Sequence, residues 1–127
     1  MGTSLPMYVD VAQLSGAVTT GEAATATQIV DSDGRGCAGV LIRGVQGILA
    51  STGGKVTVNI YDGATVASSR QHYSVELDFT SLKQTSDTQS PGIPIMKDPY
   101  ITLTADATAN TKVLNALVYL QKISVTG

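Results

Sequence analysis

Gly34, Gly36 and Gly39 stand in the spacing G-x-G-x-x-G, the pattern that lets a loop bring its N–H groups to a pyrophosphate at a helix N-terminus. That chemistry needs a helix next, but the chain continues with Val40-Leu41-Ile42, an apolar, β-branched run that favours a strand. The glycines therefore read as a turn. Asp31-Ser32-Asp33 opens like a calcium loop, but its glycine comes too early and Ile42 holds the twelfth position, where a bidentate glutamate is required. Gly53-Gly54-Lys55 has the flavour of a phosphate loop, yet Val56 follows the lysine where Ser or Thr is needed, so it reads as a hairpin turn.

His72 is the one histidine and Cys37 the one cysteine. A triad or a histidine-rich metal site would have no second imidazole, and no G-x-S-x-G elbow is present to pair with His72. Cys37 has Arg35 nearby but no lysine, a poor setting for a thiolate nucleophile. Glu76 and Asp78 fall on one side of a strand, as on a solvated face, whereas acid–base work needs one carboxyl in an apolar pocket. The expectation is a non-enzymatic chain with no cofactor and no metal.

The elements that carry these residues read as strands throughout. Residues 7–11 and 22–30 look like peripheral strands, with Ala23, Thr25, Thr27 and Ile29 on one face of the second, and residues 31–36 form a loop between them and the next strand. In residues 38–50 the Val40-Leu41-Ile42 run is apolar on both faces, as in a central strand, and Gly44 and Gly47 mark bulges or bends. Residues 55–61 alternate, with Val56, Val58 and Ile60 on one face. After the Asp62-Gly63 turn, Tyr73, Val75, Leu77 and Phe79 alternate against Ser74, Glu76 and Asp78, which predicts an antiparallel pair. The polar stretch 80–91 reads as the longest exposed loop, and Pro91, Pro94 and Pro99 confine the short apolar piece around Ile93, Ile95 and Met96 to an edge or a connection. Residues 100–105 alternate again. Residues 112–125 fit both strand and helix spacing; Leu114, Ala116, Val118 and Leu120 favour a strand, in a hairpin with 100–105. About eight strands at this spacing predict an all-β, antiparallel β-sandwich of jelly-roll type, formed by residues 1–127 as a single domain with an extended N-terminal segment.

Bulk composition agrees with a role in contact rather than chemistry. Charged residues make up 14% of the 127, against roughly 25% in a typical soluble domain. The net charge is −2, and Arg35, Arg43, Lys55 and Arg70 are scattered, so direct nucleic-acid binding is not expected. One cysteine allows no internal disulfide. The opening residues have neither the basic nor the apolar region of an export signal, and no apolar run approaches the roughly 18 residues of a membrane span, so no membrane association is expected.

The stretch 56–63, VTVNIYDG, together with 100–120, YITLTADATANTKVLNALVYL, resembles small β-sandwich virion proteins of tailed bacteriophages, among them capsid cement and decoration proteins. The resemblance implies a structural protein of the virion, on the capsid exterior and assembled in the host cytoplasm. Its implied partners are the major capsid protein and further copies of itself, as a dimer or trimer. No binding residue carries over from the resemblance. Exposure alone nominates contact positions at the termini and loops: Met1, Pro6, Met7, Gly53, Gly54, Gln89, Pro91, Ile93 and Val125. The alternative is a glycan- or receptor-binding module of a fibre or tail spike, which would need Tyr61, Tyr73 and Tyr119 exposed to stack on sugar rings.

Overall fold

Alternation of apolar and polar residues is satisfied when two sheets press their apolar faces together, and that is how this chain folds. The computed structural model describes residues 7–20, 27–30, 39–65 and 68–123. They contain eight strands: β1 (Met7–Ala17), β2 (Thr27–Gln28), β3 (Val40–Leu49), β4 (Lys55–Tyr61), β5 (Gln71–Asp78), β6 (Gln84–Ile95), β7 (Tyr100–Ala105) and β8 (Val113–Ile123). Two four-stranded sheets result, ordered β1-β8-β3-β6 and β2-β7-β4-β5. All the paired strands are antiparallel. This interleaved order is that of a jelly roll, as the strand spacing predicts. The expected loop over 31–36, and residues 23 and 25 of the second expected strand, lie outside the described residues.

The core is shared between the sheets. Ile42, Leu49, Leu114 and Leu120 enter it from one, and Ile60, Leu77 and Phe79 from the other side, all fully buried. Each such side chain contributes about 1.5–3 kcal/mol relative to exposure. In β4 and β5 the expected antiparallel pairing holds, with Lys55 opposite Asp78 and Val58 opposite Val75. In β3, the central strand, the ladder shifts between Ile42 and Gly44, the bulge that Gly44 marks. The register runs on through Gly47, whose role is close packing: a Cβ there would come 2.9 Å from Leu77 and Phe79.

Three expectations are corrected. β8 is a strand with Leu114, Ala116, Val118 and Leu120 all buried, but it pairs with β1 and β3. It makes no hairpin with β7, which lies in the other sheet. The turn over 106–111 therefore crosses between sheets, with the Asp106 carboxylate accepting the Ala109 N–H at 2.9 Å and Thr111 at φ 69. Gly53 and Gly54 likewise belong to a crossover, from β3 to β4, rather than to a hairpin. Gly54 sits at φ +99 and a Cβ on it would lie 2.5 Å from the Ala109 N, so the two crossovers pack against each other. Finally, most of the expected loop over 80–91 belongs to β6, an edge strand, which accommodates Pro91 and Pro94 because an edge has no neighbour to receive a missing N–H.

Candidate interaction site

Among the described residues, two polar clusters gather the side chains best suited to chemistry. In the β4–β5 hairpin, His72 Nε2 lies 3.1 Å from Asp62 Oδ2, Arg70 Nε lies 3.4 Å from the same oxygen, and the Arg70 N–H donates to Asp62 Oδ1 at 2.8 Å. The bond from His72, then that from the Arg70 N–H, hold the Asp62 carboxyl below its ordinary value of 3.8. Among the described residues no serine, threonine or cysteine is bonded to His72, so the pair orients no nucleophile. The cluster ties the hairpin ends together.

The second cluster joins the two sheets where their edge strands β5 and β6 meet. The Tyr73 hydroxyl donates to Asp87 Oδ2 at 2.5 Å, and Gln89 Nε2 donates to the same oxygen at 2.8 Å. Burial, and then the bond to Asp87, push the Tyr73 phenol above its usual range. Asp87 stands opposite buried Val45, so its carboxylate points inward from the edge of the sandwich. No group of three or more metal-ligating side chains occurs among the described residues.

The outer faces of the sheets differ in charge. That of the β4–β5 pair carries Lys55, Glu76 and Asp78, with Lys55 Nζ 3.7 Å from Glu76. On the other sheet, β8 turns Val113, Asn115, Leu117 and Tyr119 outward, beside Gln46 and Ile48 of β3 and Val11 and Gln13 of β1. Arg43 carries the one charge among the described side chains of this face. Ile48 is 37% exposed and Val113 46%, and Tyr119 donates to Gln46 Oε1 at 2.6 Å, fixing its ring against the sheet. A flat face poor in charge, with apolar residues and neutral hydrogen-bonding groups, has the composition of a protein–protein interface core.

The nominated contact residues scatter. Met1, Pro6 and Val125 lie outside the described residues. Met7 begins β1, its backbone paired with Ile123. Gly53 is half-buried and Gly54 buried in the inter-sheet crossover. Gln89 and Pro91 belong to an excursion of β6: the ladder passes from Gly44–Thr88 to Ile42–Ile93, leaving residues 89–92 outside it, and Gly92, at φ +106, leans on Arg43 and Leu41. Ile93 is half-buried against the core opposite Ile42. The outward residues of β8 were not among those nominated; the signal was present in Leu117 and Tyr119, apolar or aromatic positions on the side of the strand away from the core.

The tyrosines required for sugar stacking are not exposed as that reading requires. Tyr61 is 6% and Tyr73 4% exposed, and Tyr119 is half-buried. Tyr61 follows core-facing Ile60 in unbroken register with β7, and its hydroxyl donates to Gln71 Oε1 at 3.2 Å.

No family model matches the chain, and no curated protein matches it in sequence. Its fold is similar to that of a chain in the acid-stable capsid of Helicobacter pylori bacteriophage KHP30, with TM-score 0.56 and 12% identity over 94% of this chain and 90% of that one. It is similarly close to a chain of the Bacillus endospore appendages, a family of disulfide-linked pili, with TM-score 0.54 and 14% identity over 97% of this chain and 93% of that one. At such identities these likenesses establish a shared fold, one that both assemblies use.

Proposed function

We propose that this chain is a non-enzymatic structural protein of a virion, a capsid cement or decoration protein that bridges neighbouring major capsid protein subunits and associates with copies of itself. The observation that carries the reading is the outer face of the β1-β8-β3-β6 sheet, with Ile48 and Val113 exposed and Arg43 its one described charge. Such a face gains by being covered, and covering it needs no catalytic group. The likeness of fold to a phage capsid chain over nearly the whole length supports a shell as the setting. Binding across subunit junctions stabilises a shell by mass action, since the bound form holds the junction closed, and symmetry multiplies a modest contact over many copies.

The test is to mix the purified chain with capsid shells that lack it and to measure the bound ratio. Saturation at a fixed ratio per capsid subunit, lost in Ile48→Glu and Val113→Glu variants that melt as the unmodified chain does, is the expected result. No binding to shells, or filament formation by the chain alone, would overturn the cement reading; filaments would favour an appendage subunit.

A further inference from the structure

The two flanks of the sandwich are finished differently. Where β5 meets β6, the edges are guarded against strand addition: Asp87 points inward to Tyr73, β6 carries Pro91 and Pro94 and the excursion at 89–92, and β5 carries His72, Glu76 and Asp78. At the opposite flank β2 has two residues, too few to template another strand. β1 has 11, in unbroken register with β8, with no proline, lysine or arginine.

The direction of its free hydrogen-bonding groups follows from one bond. Val18 N–H donates to the Lys112 carbonyl at 3.0 Å, so the even-numbered residues of β1 bond to β8 and the odd-numbered ones present N–H and C=O to the open side. Val11 fits this parity, its N–H being taken by the Asp10 carboxylate at 2.8 Å. Among the described residues nothing bonds the N–H groups of Gln13, Ser15 or Ala17. Beside them runs a groove of about 420 Å³, lined by Leu14, Val18, Ile101 and Leu103. A Cβ placed on Gly16 would meet nothing within 4 Å, which leaves open space on the inward side of the strand.

We propose that β1 of a second copy of this chain adds antiparallel along this edge, centred on Ser15 and related by a two-fold axis, so that one sheet runs through both copies. Of the described edges, β1 alone is both long and unguarded, so a strand contributed by another copy is again β1, and the interface is isologous. Centring on Ser15 sets Gln13 against Ala17 and so uses the unbonded N–H groups of both strands. Leu14 of one copy then packs over Gly16 of the other, filling the space beside it within the groove. Asp10, the one charged side chain of the strand, falls outside the paired stretch in both copies, so like charges are not opposed. The inference deepens the reading that copies associate, and its test uses no capsid shell, so failure of shell binding leaves it intact.

Light scattering over a concentration series should show the mass rise from one chain to two, and hydrogen exchange should show the Gln13, Ser15 and Ala17 amides becoming protected over the same range. Ser15→Pro removes an N–H that β8 does not use, and Gly16→Val fills the space that Leu14 of the other copy needs; each should abolish the rise. Gly16→Val should also keep the melting behaviour of the single chain. A mass that stays at one chain throughout, or dimers in both variants equal to those of the unmodified protein, would overturn the proposal.

Discussion

A carboxylate that meets an imidazole, a guanidinium and a main-chain N–H within one hairpin is arranged to stay ionised. Asp62 is so placed, and its pKa is lowered by His72 and then by the Arg70 N–H; Asp78 and Asp106 are lowered in the same direction, first by the N–H groups of Thr80 and Ala109. Because these folded-state values lie below the unfolded one, the unfolded chain binds more protons as acid is added. The stabilisation is complete above pH about 4 and drains away as the pH falls through the folded values. Melting temperatures recorded from neutral pH down through the carboxylate range should therefore fall on the acid side, and less steeply for Asp62→Asn, so that the two curves converge. Parallel curves would mean that Asp62 contributes nothing to the acid limb.

Among the elements, the flank closed by Tyr73 and Asp87 has its own signature. Tyr73→Phe removes the donor while leaving the ring in the core, and should cost about 1 kcal/mol, the worth of a typical intramolecular hydrogen bond. Amide exchange in β6 should quicken while that in β1 stays as it was; equal change in both would place the effect in the core instead. β6 is also the strand least visible in the sequence. Its outward Ser86 and Thr88 face water, and its inward Asp87 is bonded to Tyr73, so neither side supplies an apolar alternation. β4, β5 and β8 were legible because each buries one side against the core, as Val56, Leu77 and Leu120 do. The turn at 106–111 was legible as a turn, but its polar residues carry no mark that distinguishes a hairpin from a passage between sheets. The alternation of β8 gives Val113 and Leu117 their outward direction, but that they form one face with Gln13 and with Gln46 and Ile48 shows only in the placing of β8 between β1 and β3.

At the scale of the molecule, both sheets depend on one core. Ile60→Ala in one sheet and Leu114→Ala in the other should each cost about 2–5 kcal/mol. Each should also move the whole unfolding curve without splitting it, far-UV and tyrosine signals coinciding. Transitions that separate would show that the sheets melt independently. The strand order has a further consequence, in the time taken to make the protein. β1 is paired along its full length with β8, and β8 also separates β1 from β3. At about 5–20 residues per second, the ribosome needs roughly 5–20 s after finishing Met7 to reach Val113. Late in that interval, once Ile95 is made, the β3–β6 pair can form, but β1 still lacks its neighbour in the sheet. β8, one of the two interior strands of this sheet, is translated after the seven other described strands, so a stop codon just ahead of Val113 would be as damaging as one far upstream, even with those seven strands made.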